Sequence, residues 1–226
     1  MSAPSFPRSE RNKVRRLHER GSYDRDAVYR ILDAGLIAHV GYIIDGQPYV
    51  TPTCHWREGD RLFWHGSAAS RMLRAVKQGV PACVTVTLLD GLVMARSGFH
   101  HSINYRSVMA FGQAHAVEDG KAKRAALEAF VERVAPGRWA TLRPVTAKEM
   151  KATTVVAMTI DEASAKVRVG PPKDDAEDYD AVAVWAGVVP LRTVGGPPVD
   201  DGRLLPGVAL PAWAIDYDIE VYRHRS

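Results

Sequence analysis

The sequence predicts a mainly β protein, in which an antiparallel sheet closes fully or partly into a barrel with helices packed on the outside. Strand patterns outnumber helical patterns, and most connections between them have the length of a hairpin. Two Asp-Gly pairs, Asp45-Gly46 and Asp90-Gly91, stand between apolar runs and are typical of tight turns. Apolar residues make up 46% of the 226, enough for a sizeable core.

The chain divides into three parts by composition. Residues 1–21 are basic and have little apolar periodicity, so we expect a flexible N-terminal arm. Residues 22–191 carry the strand and helix patterns and form the predicted barrel domain. Residues 192–226 are rich in proline and glycine and predict a C-terminal extension along the surface.

The first half of the domain predicts a helix followed by a three-stranded meander. Asp24 is the expected N-cap of the helix, and Gly35 ends it. Strands are expected over 36–44, 49–56 and 61–65, and a second helix over 68–78.

The second half predicts four or more strands around one amphipathic helix. Strands are expected over 82–89 and 92–95, joined by a turn at Asp90-Gly91, and then over 105–117, 153–160 and 166–169. Asp119 is the expected N-cap of a helix over 121–134. Periodicity does not decide whether 182–191 is an edge strand or a short helix.

Charge, cysteine usage and hydropathy predict a cytoplasmic protein. The net charge of +4 comes from the arm and the central body, because the last third is acidic. Cys54 and Cys83 lie in predicted strands, which favours two reduced thiols over a disulfide framework. The start of the chain lacks the apolar stretch of a signal peptide, and no run approaches 18 apolar residues. We therefore expect no membrane partner.

Several chemistries lack their motifs. The sequence has no phosphate-binding G-x-x-x-x-G-K-[ST], no dinucleotide-binding G-x-G-x-x-G and no hydrolase G-x-S-x-G. The histidines, including His39 and the pair His100-His101, show no metal-ligand spacing, so we expect no dedicated metal site.

The segment from Phe63 to Arg71 predicts an anion site. A strand ends in a small-residue turn, and the helix that follows carries Ser67, Ser70 and Arg71 in its first turn. Backbone N–H groups, hydroxyls and a guanidinium would then meet at a helix N-terminus, where a phosphate is favoured. The alternative is that Ser67 only caps the helix and Arg71 is a solvated surface residue.

Two further segments are rich in candidate ligands. Residues 101–108 enter a strand with many donors, and Arg106 and Ser107 would point to opposite faces of it. The alternative is a polar edge strand. Trp185 stands in an apolar run beside a glycine, a pattern more typical of a core or interface anchor.

Eight motifs in order carry a family resemblance, from about Arg11 to Leu191: ERGSYDR, ILDAG, HVGY, HGSAASRM, LLDGLVMARSGFHHSINYRSV, PGRW, KVRVGPP and VWAGVVPL. The series resembles the pyridoxamine 5'-phosphate oxidase-related family of flavin-nucleotide-binding proteins, and more narrowly the branch with the nitroimidazole-resistance proteins. The resemblance implies an FMN-binding split β-barrel, antiparallel with peripheral helices. It also implies a homodimer with two FMN clefts at the subunit interface.

The resemblance also assigns cofactor-binding positions in three groups. The FMN phosphate would be held by His65, Gly66, Ser67, Ser70 and Arg71. The isoalloxazine ring would be lined by Thr51, Pro52, Thr53 and Cys54. The partner subunit would contribute Arg106, Ser107, Arg168 and Trp185.

The resulting hypothesis is an FMN-dependent oxidoreductase that reduces or oxidises a small organic molecule. His55 and His65 are the candidates for a histidine beside the flavin. The chain has WAGVVPL where a true pyridoxamine 5'-phosphate oxidase has a Trp- and Arg-rich signature, which argues against vitamin B6 oxidation. The alternatives are a deazaflavin or haem in the same cleft and a non-catalytic flavin-binding protein. Nucleic-acid binding by the basic arm is disfavoured, because the arm also carries acids and few aromatic residues.

Overall fold

The computed structural model describes residues 4–76, 78–215 and 217. The strands in this part of the chain are β1 (Gly21–Ser22), β2 (Ile37–Ile44), β3 (Gln47–Glu58), β4 (Arg61–Ser67), β5 (Gln78–Met94), β6 (Ser102–Ala116), β7 (Thr153–Thr159), β8 (Glu162–Arg168) and β9 (Gly187–Pro190). The α-helices are α1 (Arg25–Ala34), α2 (Arg71–Val76), α3 (Gly120–Val134), α4 (Ala147–Ala152), α5 (Asp178–Ala181) and α6 (Ala212–Ile215).

The strands form one antiparallel sheet that closes on itself. Their order is β1-β8-β6-β7-β4-β3-β2-β5-β9, and β6 also pairs with β5. This extra pairing joins β6, β7, β4, β3, β2 and β5 into a closed ring of strands, called the ring below. The predicted mainly β antiparallel fold is therefore confirmed.

The long strands β5 and β6 continue beyond the ring. Their far ends pair with each other from Gly91 to Val93, and β9 adds to the free edge of β5 over Gly91 to Met94. Residues 89–105 together with β9 are called the β-extension. For residues 182–191, where periodicity left an edge strand and a short helix open, the structure shows the edge strand β9.

The turn predicted at Asp90-Gly91 is wrong, because β5 runs straight through it. The register between β5 and β6 shifts between Leu89 and Gly91, so the extra residue forms a bulge. The Asp90 carboxylate accepts two hydrogen bonds from Arg106, and its backbone oxygen accepts one from the Leu191 amide. At Asp45-Gly46, by contrast, both residues have positive φ, 49° and 76°, as the predicted hairpin turn requires.

Two apolar clusters lie on the two faces of the ring. The inner cluster contains Trp64, Leu62 and Val84, each 0% exposed, and α1 adds Val28 and Leu32 to it. The outer cluster packs Trp56 and Phe63 of β3 and β4 beneath α3. Because strand residues alternate between faces, Phe63 and Trp64 belong to different clusters.

The N-terminal segment lies against the sheet. Phe6 is 2% exposed, and Ser5 forms a bridge with Asp24. Ser9 and Arg11 donate to the carboxylate of Glu162 on β8. The composition that predicts a flexible arm does not reveal these contacts, because they depend on partners in the body of the protein, and Glu162 stands about 150 residues away.

The C-terminal segment from 192 to 211 contains no regular element and is largely exposed. It approaches the body again at Tyr217, whose hydroxyl donates to the Val134 oxygen over 2.8 Å. Residues 218–226 of the predicted extension lie outside the described residues. In the described part of the chain, every helix is too short or too polar to cross a membrane.

Candidate functional site

The turn between β4 and α2 is the predicted phosphate site. Its amides are already engaged: Ala68 donates to the Ala152 oxygen, Ala69 to the Ser67 hydroxyl and Ser70 to the Ser67 oxygen. The first helical hydrogen bond is made by the Arg74 amide to Ser70. The helix that follows this bond is short, with six residues from Arg71 to Val76.

Arg71 extends this turn into a cluster of aromatic residues. Its guanidinium carbon lies 4.4 Å above the centre of the Tyr49 ring. Tyr49 stacks on Tyr42 with 5.7 Å between ring centres, and the Tyr42 hydroxyl lies 3.0 Å from the Thr51 hydroxyl. Two tyrosines thus link Arg71 to Thr51, which the family resemblance assigns separately to the phosphate and the ring of the cofactor.

The positive charge of Arg71 is not paired with a described carboxylate. Within residues 4–76, 78–215 and 217, no carboxylate lies within ion-pair distance of its exposed guanidinium. A cation held against an aromatic face keeps its positive charge available, and Arg can bind phosphate oxygens through two parallel N–H groups.

The predicted ring-lining residues 51–54 are divided between the two faces of β3. Thr51 and Thr53 pair with Val40 and Ala38, which are buried on the inner face, and both threonines are half-buried. Pro52 and Cys54 are exposed on the outer face. Side chains of all four residues therefore cannot line one flat ring from the same side.

His55, one of the two candidate histidines, is buried against α1. Its side chain is 1% exposed, and its Nε2 lies 3.0 Å from the Leu32 backbone oxygen. Burial, together with the positive charge of Arg133, lowers the pKa of His55 to about 4. The ring is therefore neutral at pH 7 and donates its Nε2 proton to Leu32.

His65, the other candidate, lies on the opposite face of the sheet beneath α3. Its ring is 4.7 Å from that of Phe130 and 5.8 Å from that of Trp56. Burial lowers the pKa of His65, and within the described residues its buried Nδ1 has no hydrogen-bond partner. Because His55 and His65 face opposite sides of the sheet, they cannot both approach one bound ring.

The residues predicted to serve the partner's cofactor lie on or beside the β-extension. Ser107 donates to the Lys166 oxygen over 3.3 Å, and Arg106 is paired with Asp90. Arg168 is 8% exposed and donates to the Asn104 side-chain oxygen and to the Gly170 and Pro171 backbone oxygens.

Trp185, the last residue of this group, is 66% exposed. Its indole lies where a side chain on Gly187 would stand, 2.8 Å from the position of a Cβ there. Gly187 pairs with Met94 at the end of β5. Any larger residue at position 187 would push the indole away from this place.

Sequence reasoning missed Tyr42 and Tyr49, which carry the contact between Arg71 and the sheet. A signal for them exists in the hairpin. A two-residue turn at Asp45-Gly46 fixes the register of β2 and β3, and that register places Tyr42 opposite Tyr49.

Comparison with solved structures finds two close relatives. The flavocytochrome Anf3 from Azotobacter vinelandii is 49% identical, with 93% of this chain and 97% of that chain covered and a TM-score of 0.87. The FAD and haem binding protein from Mycobacterium smegmatis is 42% identical, with 85% and 94% covered and a TM-score of 0.81.

More distant likenesses concern the fold alone. A candidate 5-nitroimidazole antibiotic resistance protein from Bacteroides thetaiotaomicron is 22% identical over 65% of this chain and 86% of that chain, with a TM-score of 0.53. The sequence has no match among curated proteins.

A protein-family model described as pyridoxamine 5'-phosphate oxidase matches residues 24–167, which contain the ring, the turn after β4 and most of the β-extension. The chain belongs to the pyridoxamine 5'-phosphate oxidase family.

Proposed function

We propose that the protein binds a flavin and a haem and transfers electrons. The observation that carries this proposal is the 49% identity to a flavocytochrome over nearly the full length of both chains. The relative from M. smegmatis, named for FAD and haem, supports the same pair of cofactors. A fold alone does not define a reaction, so the residues of this chain must also fit the cofactors.

The turn after β4 fits the phosphate of a flavin nucleotide. Arg71 supplies a positive charge that no described carboxylate neutralises, and a guanidinium can bind phosphate oxygens through two parallel N–H groups. The Tyr49 ring lies under this guanidinium and stacks on Tyr42, which is only 5% exposed. Arg71 would hold the phosphate, and the two tyrosines would hold Arg71 in position.

A bound flavin would exchange a hydride or single electrons, and a haem iron would exchange single electrons. The proposed reaction is transfer between a reduced donor and a small organic acceptor. The family resemblance implies FMN, whereas the M. smegmatis relative is named for FAD. Both nucleotides carry the ribityl phosphate that the turn would hold, so the proposed anchor is the same for either. Chromatography of the cofactor released by acid identifies which one is bound.

We further propose a homodimer, as the family resemblance implies. The outer face of the β2–β3 hairpin supports it, because Ile37, Ile43 and Val50 are 46%, 63% and 67% exposed. Apolar side chains on one flat face are typical of a surface that another protein covers. The predicted partner residues, such as Arg106, lie on a different part of the sheet from Arg71, which a cleft shared by two subunits would explain.

The test of flavin binding compares two arginines of one short helix. Arg71→Ala removes the charge above Tyr49, and we expect it to lower the flavin content of the purified protein at least tenfold. Arg74→Ala removes an exposed cation one turn later and serves as the matched control, with flavin content unchanged. Absorbance at the flavin bands, divided by protein concentration, measures the result. A full complement of flavin in Arg71→Ala would contradict the proposed anchor.

A further inference from the structure

A cavity of about 680 Å³ lies between the N-terminal segment and β1. Small-molecule sites have volumes of roughly 300–1,000 Å³, so this cavity is large enough for a ligand. Val14 and Tyr23 supply apolar lining, and Arg8 and Lys13 supply positive charges. All of the lining residues fall within 8–23, so the cavity is distinct from the turn after β4 that is proposed to hold the flavin phosphate.

The wall of the cavity is held in shape by hydrogen bonds. Asn12 is 3% exposed, its side-chain nitrogen donates to the Pro7 oxygen over 2.7 Å, and its side-chain oxygen accepts from the Ser9 amide over 2.8 Å. Further along the segment, the Val14 amide donates to the Tyr23 hydroxyl over 2.9 Å. A wall that is ordered before a ligand arrives loses less conformational entropy on binding.

Arg8 carries the positive charge of the lining that is most available to a ligand. Its guanidinium carbon lies 4.5 Å from the centre of the Tyr23 ring, and Tyr23 is 9% exposed. Among the residues that the structure describes, no carboxylate lies within ion-pair distance of Arg8. A cation over an aromatic face keeps its positive charge, and a guanidinium can bind two oxygens of one phosphate.

Glu10, an acidic residue of the lining, does not cancel this charge. Its carboxylate lies 3.3 Å from the Lys13 ammonium and also pairs with Arg15, so two cations share one anion. Residues 8–20 carry six basic and two acidic side chains. The surroundings of the cavity therefore keep a positive potential, which favours an anionic ligand.

We propose that this cavity binds a small molecule with a terminal phosphate or a pyrophosphate group and that Arg8 binds its oxygens. A phosphate monoester carries more negative charge than a carboxylate and has three acceptor oxygens. It therefore gains more from a site that combines the unpaired guanidinium of Arg8 with a second cation, Lys13. A single cavity suits a small molecule, whereas a nucleic-acid backbone requires an extended row of cations.

Two molecules in the proposed electron transfer carry such a group. One is a nicotinamide dinucleotide that serves as the reduced donor, and the other is FAD, through the phosphates of its ADP half. These two sources rest on the proposed function, whereas the site rests on the cavity and its charges. The site is therefore tested first and its occupant second.

The site is tested by isothermal titration calorimetry of the full-length protein with inorganic pyrophosphate. Every variant also carries Arg71→Ala, so that the turn after β4 does not contribute to the measured binding. We expect this background protein to bind pyrophosphate and Arg8→Ala to weaken the binding at least tenfold. Arg16→Ala is the matched control and keeps the affinity, because Arg16 is an exposed cation of the same segment outside the cavity lining.

A second variant protects the test against a folding defect in Arg8→Ala. Arg8→Met keeps an apolar contact with the Tyr23 ring and removes the charge, so we expect the same tenfold loss with unchanged circular dichroism. A background protein that does not bind pyrophosphate, or an unchanged affinity in Arg8→Ala or Arg8→Met, overturns the site. An equal loss in Arg16→Ala also overturns it, because the diffuse charge of the segment would then bind the anion.

The occupant is identified with the wild-type protein saturated with FMN or with FAD. Binding of NADPH to both forms, weakened by Arg8→Ala, identifies a dinucleotide donor. Binding of pyrophosphate to the FMN form but not to the FAD form identifies the ADP half of FAD. A wild-type protein that takes up neither flavin contradicts the proposed function and leaves the site, as measured with pyrophosphate, standing.

Discussion

The ring and the β-extension share the two long strands β5 and β6. Apolar residues of these strands are exposed to different degrees in the two regions. Within the ring, Val84 and Val108 of β5 and β6 are 0% and 1% exposed. In the β-extension, Leu92 and Ile103 of the same strands are 39% and 42% exposed. Along β5 and β6, therefore, one face of the ring part is buried by the chain itself, whereas one face of the β-extension carries exposed apolar side chains. Exposed apolar side chains grouped on one sheet face are typical of a surface that another molecule covers, so we expect the face of the β-extension to be a binding surface.

Substitution of one tryptophan in each region tests this difference directly. The ring tryptophan should give the largest loss of unfolding free energy among the variants considered. Trp64 is 0% exposed in the inner cluster, and Trp64→Ala should lower the free energy of unfolding by about 3–5 kcal/mol. Trp185 is 66% exposed, and Trp185→Ala should change it by no more than about 0.5 kcal/mol. Urea denaturation of the cofactor-free protein measures both.

The opposite result for Trp185 would be informative. A loss above about 2 kcal/mol in Trp185→Ala exceeds what an exposed side chain supplies. It would mean that the chain itself covers the indole in solution. The contrast between a closed ring and an open β-extension would then be lost.

His55, buried in the ring of strands, predicts that the free energy of unfolding depends on pH. The expected change is nearly as large as the loss in Trp64→Ala. His55 has a pKa of about 4 in the folded protein, against about 6.5 when unfolded. The unfolded chain therefore binds this proton first, and the free energy of unfolding falls as the pH falls from about 6.5 to about 4. The total loss from this group is about 3 kcal/mol.

His55→Gln removes this titration and can keep a donor near the Leu32 oxygen. We expect a flatter profile of unfolding free energy between pH 6.5 and 4 than in the wild type. His18→Gln is the control, because the His18 side chain is 86% exposed. Equal slopes in the wild type and His55→Gln would show that His55 is solvated in the folded protein.

Substitution of two aspartates compares an ion pair beside the ring with one at the β-extension. The expected losses of unfolding free energy are smaller than those above. The Asp33 carboxylate accepts two hydrogen bonds from Arg57 and lies 3.6 Å from the guanidinium of Arg133, whose side chain is 8% exposed. Asp33→Ala removes both pairs and should cost about 2 kcal/mol. Asp90 and Arg106 meet at the base of the β-extension with side chains 27% and 34% exposed. Asp90→Ala should cost no more than about 1 kcal/mol. Thermal unfolding of the two variants at low and high salt measures both losses. A larger loss of stability for Asp90→Ala than for Asp33→Ala would contradict the prediction.

What the sequence predicts well is local. Asp24 and Asp119 accept hydrogen bonds from Ala27 and Ala122 as N-caps, and the turn at Asp45-Gly46 has the expected backbone. Each of these features depends on residues within four positions of each other, so the pattern contains the whole cause.

What the sequence misses depends on distant partners. Asp90-Gly91 has the composition of a turn, but β9 and Arg106 hold it within a strand. Phe6 has no visible apolar periodicity around it, but the body of the protein buries it. The proposed phosphate site follows from the pattern of its local turn, whereas the aromatic support of Arg71 depends on the pairing of two strands.

The smallest effect on stability is expected on the outer face of the β2–β3 hairpin. Val50→Glu places a charge on a residue that is 67% exposed, so the unfolding free energy of one subunit should change by no more than about 0.5 kcal/mol. If a second copy covers this face, the same charge is buried against apolar residues, and light scattering should show a monomer where the wild type is a dimer. Val199→Glu, at a residue 93% exposed in the C-terminal segment, should remain dimeric. A dimeric Val50→Glu protein would place the second copy elsewhere, and the open face of the β-extension would be the next surface to test.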